Sequence, residues 1–135
     1  KNNVMKIINL REIIYMIMYN QDAIIVKNNS IIFRFETQDI LYIEKIKKTK
    51  NIQIVLKTRT ITTACSLEKC LKLSQAYLQQ LNKCILINRR NIDYISNIEI
   101  PSIRFLNGLE LTISENDYRS LCHILMSDKI LVEDV

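Results

Sequence analysis

Residues 39–57 read Asp39-Ile-Leu-Tyr-Ile-Glu-Lys-Ile-Lys-Lys-Thr-Lys-Asn-Ile-Gln-Ile-Val-Leu-Lys57. Two β-rich apolar runs, Ile40–Ile43 and Ile52–Lys57, flank a connection that holds Lys45, Lys47, Lys48, Thr49 and Lys50. β-Branched and aromatic side chains suit a pleated, half-buried surface. The stretch therefore reads as two strands with a cationic loop projecting between them, and Asp39 closes a turn ahead of the first. Upstream, Asp22–Val26 and Ser30–Glu36 are short β-rich runs separated by Lys27-Asn-Asn, a hairpin connection because Asn tolerates positive φ. Further upstream, residues 5–19 carry apolar side chains at helical spacing and predict a leading helix. Downstream, Thr60–Ala64 returns across Thr58-Arg59 as a hairpin partner of the Ile52 strand.

Ser66-Leu-Glu-Lys69 sets a capping hydroxyl before a first-turn carboxylate. Leu67, Cys70, Leu71, Leu73 (or Ser74), Tyr77, Leu78 and Leu81 continue an apolar stripe, which predicts a helix reaching Leu81. Cys84–Asn88 is a continuous apolar run, expected as a strand buried on both faces. Asn88-Arg-Arg-Asn91 is a tight polar connection in which Asn88 braces the turn. Ile92–Ile98 and Ile100–Leu106 read as strands, Asn107-Gly108 as a hairpin turn, and Leu109–Ile113 as the return. Ser114 opens a last helix, with Glu115 and Asp117 suited to its dipole and Tyr118, Leu121, Cys122 and Leu125 on its apolar side. Many short strands with interspersed single helices, without strand–helix alternation, predict a mainly β fold with short helices, built from small antiparallel sheets.

At 135 residues the chain fits one domain. Residues 1–20 are expected to lead in from an upstream domain, 21–127 to form the domain itself, and 128–135 to form an acidic tail. The stretch Val4–Tyr19 is interrupted by Arg11 and Glu12 and is too short to span a bilayer, so no membrane partner is expected.

The net charge of +5 is unevenly distributed. Residues 45–90 carry eleven basic groups against Glu68 alone, while 91–135 carry three basic groups against eight acids. A basic middle third in a near-neutral remainder is the footprint expected of a phosphate-binding face. An acidic protein or an anionic surface would meet the same charge, so a basic interaction module without sequence-specific DNA reading stands as the alternative. RNA is less favoured, because the basic region lacks paired aromatics for stacking unpaired bases.

The four cysteines, Cys65, Cys70, Cys84 and Cys122, form no C-x-x-C and no Cys/His knuckle. They read as reduced core or half-buried thiols of a cytoplasmic protein. His123 beside Cys122 supplies neither a four-ligand zinc set nor a nucleophile–base pair. With one glycine there is no Gly-rich phosphate loop. No enzyme activity, metal or cofactor is expected.

Between Ala23 and Leu125 the chain resembles the LytTR-type DNA-binding domain of bacterial response regulators. The resemblance rests on Asp39-Ile-Leu-Tyr-Ile-Glu44, on Ser66-Leu-Glu-Lys-Cys-Leu71 and on Asn82-Lys-Cys-Ile-Leu-Ile-Asn-Arg-Arg-Asn-Ile-Asp-Tyr-Ile95, with the Asn107-Gly108 turn and the Ser114 helix start following in order. The family's His, Arg and Ser are Asn82, Lys83 and Cys84 here; a preceding Arg is Gln80; and Glu115 and Asn116 stand where basic residues are usual. The resemblance implies an elongated stack of small antiparallel sheets that reads double-stranded DNA with loops. It implies base-reading by Lys50, Lys83 and Asn116, and backbone contacts by Lys47, Lys48, Thr49, Asn82, Arg89 and Arg90. It also implies an upstream receiver domain, transcription regulation within a two-component system, and self-association of two copies on promoter direct repeats.

Overall fold

A computed structural model of the chain describes residues 23–28, 30–73 and 78–127. The helix expected over 5–19 and the tail expected over 128–135 lie outside the described residues. In chain order the elements are β1 (Ala23–Asn28), β2 (Ile31–Glu36), a 3-10 turn (Thr37–Asp39), β3 (Ile40–Lys45), β4 (Asn51–Leu56), β5 (Thr60–Ala64) and α1 (Leu67–Leu73). They continue with β6 (Leu78–Asn82), β7 (Ile85–Asn88), a second 3-10 turn (Arg89–Asn91), β8 (Ile92–Ser96), β9 (Ser102–Phe105), β10 (Glu110–Thr112) and α2 (Glu115–Ser127).

These strands form three antiparallel sheets: the hairpin β1–β2, a five-stranded sheet in the order β5-β4-β3-β7-β6, and a three-stranded sheet in the order β10-β9-β8. The five-stranded sheet is the middle layer because both its faces are apolar. Ile40, Ile43, Ile52, Ile54, Leu56, Ile61, Leu78 and Leu86 face a core shared with Ile24 and Phe35 of the hairpin and Leu67 and Cys70 of α1. Leu41, Val55, Leu81 and Ile87 face a second core shared with Ile103 and Phe105 of the three-stranded sheet and Leu121 of α2. Alternation along a strand sends successive side chains to opposite faces. A continuous apolar run such as Ile85-Leu-Ile87 is therefore what a strand between two cores requires. The expectation of two buried faces there holds: Leu86 and Ile87 are each 1 % exposed, in different cores.

The helix expected to reach Leu81 does not. The described part of α1 ends at Leu73, and Leu78–Asn82 is an edge strand paired with β7. The cause lies in the spacing. Leu78 and Leu81 are three apart, which imitates one helical face, but in a strand an odd spacing puts them on opposite faces. Here each face has its own core, and a register shift between Gln80 and Asn82 lets the edge bend. Cys84 is also corrected: it sits in the exposed turn between β6 and β7, not in the apolar run.

Turn chemistry accounts for the rest. β1 runs past Val26 to Asn28, which pairs with Ile31. In the β9–β10 hairpin Gly108 takes φ +94° while Asn107 keeps negative φ, so the loop is a three-residue turn with glycine in the left-handed position. Asn107 also reaches across to the Lys57 carbonyl at 3.0 Å. Two buried asparagines bind the second 3-10 turn to the first. Asn88, fully buried, accepts from the Arg90 amide at 3.1 Å and donates to the Thr37 carbonyl at 3.4 Å. Asn91 donates to the carbonyls of Gln38 at 2.8 Å and Ile40 at 2.7 Å.

Removing the Asn91 amide strands two acceptors, at least one of them in the core. Asn91→Ala is therefore expected to lower the unfolding free energy in urea by about 2–4 kcal/mol. Asn107→Ala, which loses exposed bonds, should cost about 1 kcal/mol or less.

Candidate nucleic-acid interface

The pairing of β3 with β7 sets Glu44 opposite Ile85, and one step further the Lys45 amide donates to the Cys84 carbonyl at 2.8 Å. The β3–β4 loop and the β6–β7 turn therefore emerge side by side from one end of the five-stranded sheet. The loop closes on itself through backbone bonds from Ile46 N to Asn51 O at 3.0 Å and from Thr49 N to Ile46 O at 3.2 Å. The Thr49 hydroxyl adds two bonds, donating to Ile46 O at 2.8 Å and accepting from Asn51 N at 3.0 Å. Lys48 is held at φ 64°, a left-handed conformation that costs a non-glycine residue roughly 1–2 kcal/mol. Such local strain persists where the surrounding bonds over-determine the loop. Lys47, Lys48, Thr49 and Lys50 are all exposed.

The second connection is shaped by Asn82. Its Oδ1 accepts from the Cys84 amide at 2.7 Å and its Nδ2 donates to Asp117 Oδ2 at 2.7 Å. The latter bond brings the first turn of α2 against the β6–β7 turn, and with it the exposed Asn116. Ser114 caps that helix, its Oγ accepting from the Asp117 amide at 3.1 Å. Glu115, beside Asn116, is occupied by Asn97 Nδ2 at 3.3 Å and by Arg119 at 4.0 Å. The connections that carry Lys50, Lys83 and Asn116 thus converge, although these residues come from three separate parts of the sequence. In the sequence Asp117 stands out only as a charge suited to the helix dipole. Its partner lies 35 positions away, so no local signal could have pointed to the bond.

The basic middle third does not form a single face. Lys57 and Arg59 lie in the β4–β5 connection at the other end of the sheet, where Lys57 pairs with Asp39 at 3.9 Å. There Arg59 stacks 5.5 Å from the Phe33 ring centroid and donates to the Arg34 carbonyl. Arg89 and Arg90 follow β7 and share that far end, with Arg89 donating to Gln79 Oε1 at 3.3 Å. At ~3.3 Å per residue, the six positions from Lys83 to Arg89, shortened by the turn at each end of β7, span roughly 15–20 Å. The single-face expectation therefore does not extend to Arg89 and Arg90. At the near end, by contrast, none of Lys47, Lys48, Lys50 and Lys83 has a carboxylate within ion-pair distance among the described residues.

Two braced connections whose lysines have no ion-pair partner among the described residues, set beside the start of α2, can bind an extended polyanion. Lysine is a mobile three-donor point charge, and Asn116 offers a donor–acceptor pair on a rigid helix start. Among the described residues no three His, Cys, Asp or Glu side chains converge as a metal set, and no helix is long and apolar enough to cross a membrane.

Comparison with known proteins meets this geometry. A solved LytTr DNA-binding domain of a methyl-accepting/DNA response regulator from Bacillus cereus shares the fold, with a TM-score of 0.61 at 16 % identity, covering 78 % of this chain and 97 % of that one. No curated protein sequence matches the chain. The LytTr DNA-binding domain family matches residues 30–126. With its three stacked antiparallel sheets and that match across most of its length, the chain belongs to the LytTr DNA-binding domain family.

Proposed function

We propose that this chain reads double-stranded DNA sequence-specifically, as the output domain of a transcription regulator acting in the cytoplasm. The observation that carries the reading is the convergence of the lysine loop, the Lys83 turn and the start of α2 at one end of the five-stranded sheet. In this reading Lys50 and Lys83 donate to guanine O6 and N7, and Asn116 pairs with adenine N6 and N7 in the major groove. Lys47 and Lys48 neutralise phosphates, which fixes register without carrying sequence information. Thr49 shapes the loop from which the lysines project, and its backbone contact is secondary to that. Asn82 spends one Nδ2 hydrogen on Asp117 and keeps the other for a phosphate oxygen. Arg89 and Arg90, at the far end, reach only backbone outside this contact.

Two-component control belongs to the same proposal. An upstream receiver domain would promote pairing of two copies on promoter direct repeats. Half-sites read from one face of B-DNA would lie about one or two turns of ~10.5 base pairs apart. A basic module that meets any anion would show the same sensitivity to salt, so salt alone does not separate the two readings. Selection of bound duplexes from a random pool does. A DNA reader returns a recurrent sequence that survives excess random duplex, and a generic polycation returns none.

On the selected site, Lys50→Ala and Lys83→Ala are each expected to weaken binding by roughly 1–3 kcal/mol and to relax discrimination against mismatched duplex. Lys47→Ala and Lys48→Ala should weaken all duplexes alike and lower the salt slope by about one unit each. Arg89→Ala and Arg90→Ala should leave discrimination intact, since charges 15–20 Å away are screened across a Debye length of ~8 Å in physiological salt. Fluorescence anisotropy against salt checks all three; equal losses from Arg89→Ala and Lys83→Ala would overturn the assignment of the face.

A further inference from the structure

Just past the end of β5, whose Ala64 pairs with Asn51 at the foot of the lysine loop, two of the four free thiols stand together. Cys65 is half-buried between β5 and α1, and Cys70, 7 % exposed, is on α1. Their sulfurs are 4.0 Å apart. Both line a cavity of about 690 Å³ between the β1–β2 hairpin and the five-stranded sheet. The charged residues among its described lining are all cationic: Lys27 and Arg34 from the hairpin and Lys69 from α1.

That setting separates the two sulfurs chemically. A hydrogen bond from Cys70 and the charge of Lys69 hold the Cys65 thiol down to about 6 in spite of its partial burial. The same hydrogen bond, burial and the neighbouring sulfur's charge push the Cys70 thiol up. Of the two, Cys65 is therefore the readier to ionise. Thiolates, not thiols, are the nucleophiles in sulfur oxidation.

We propose that Cys65 and Cys70 form an oxidisable dithiol that hydrogen peroxide converts to an intramolecular disulfide. The Cys65 sulfur attacks one peroxide oxygen, the O–O bond breaks, and the departing hydroxide takes a solvent proton to become water. Cys65 is then a sulfenic acid, and the charge and hydrogen bond that kept Cys70 protonated are gone. The Cys70 sulfur loses its proton and displaces hydroxide from the Cys65 sulfur, forming the S–S bond and a second water. One thiolate, one thiol, one peroxide and one solvent proton give one disulfide and two waters. The sulfurs must close by about 2 Å to reach the ~2.05 Å bond length. The bond ties Cys65 to the body of α1, the helix whose Leu67, Glu68 and Leu71 line a cleft together with Lys83.

The test exploits Cys84, which is more exposed than Cys65 but has no thiol neighbour. The full chain receives one equivalent of hydrogen peroxide at neutral pH, remaining thiols are alkylated, and peptides are mapped by mass spectrometry. A Cys65–Cys70 cross-link is expected, with two thiols lost per chain and Cys84 and Cys122 still alkylated. In Cys70→Ala, which removes both the resolving thiol and the hydrogen bond that acidifies Cys65, oxidation should be slower and Cys65 should be trapped as a sulfenic acid by dimedone. Oxidation of Cys84 ahead of Cys65, a disulfide between chains, or Cys65 and Cys70 both still free once peroxide is consumed would each overturn the proposal.

Discussion

The antiparallel pairing of β3 with β7 is the constraint on which the rest of the structure depends. It joins two strands some forty residues apart and places both in the interior of the five-stranded sheet, where each face meets its own core. Fully buried backbone leaves little choice of register, because a slip by one residue would exchange the side chains destined for the two cores. Both cores are apolar, but their partners differ: the hairpin and α1 on one side, the three-stranded sheet and α2 on the other. Once the register is fixed, the Lys45–Cys84 hydrogen bond follows, and with it the side-by-side exit of the lysine loop and the Lys83 turn.

Electrostatics and bracing then divide the labour. Basic residues at the far end and on the flanking sheet are already engaged, as in Lys57–Asp39, Arg34–Glu36 and Arg104–Glu110. Among the described residues the near end leaves Lys47, Lys48, Lys50 and Lys83 without an ion-pair partner and spends its polar groups on geometry instead. Thr49 closes one loop, Asn82 shapes the next and Asp117 joins it to α2. Pre-formed loops lose less conformational entropy on binding, since ordering a side chain on association costs about 0.5–1.5 kcal/mol. The strain at Lys48 fits the same economy: a rigid loop presents its ammonium groups at a fixed spacing.

Much of this was legible in the residues. Thr60–Ala64, the Asn107-Gly108 turn, the Ser114 cap and the two-faced burial of Ile85–Ile87 all followed from local rules and appear as expected. Three of the failures share one physical origin, which is that their deciding partner lies far away in sequence. Leu78 and Leu81 imitate a helix until two separate cores are known. The basic block looks like one surface until β4 and β7 carry Lys57, Arg59, Arg89 and Arg90 to the opposite end. Asp117 looks like a helix-dipole charge until the sheet stack brings Asn82 within 2.7 Å of it. The family resemblance supplied the order of the three loops, and the structure supplied the bonds that hold two of them together.

Backbone amide chemical shifts followed during titration with a selected duplex test the central claim most directly. A single reading face predicts that residues 46–50, 82–84 and 114–117 respond together, while 57–59 and 89–91 stay near their free positions. Responses concentrated at 57–59 and 89–91, with the lysine loop unmoved, would contradict it.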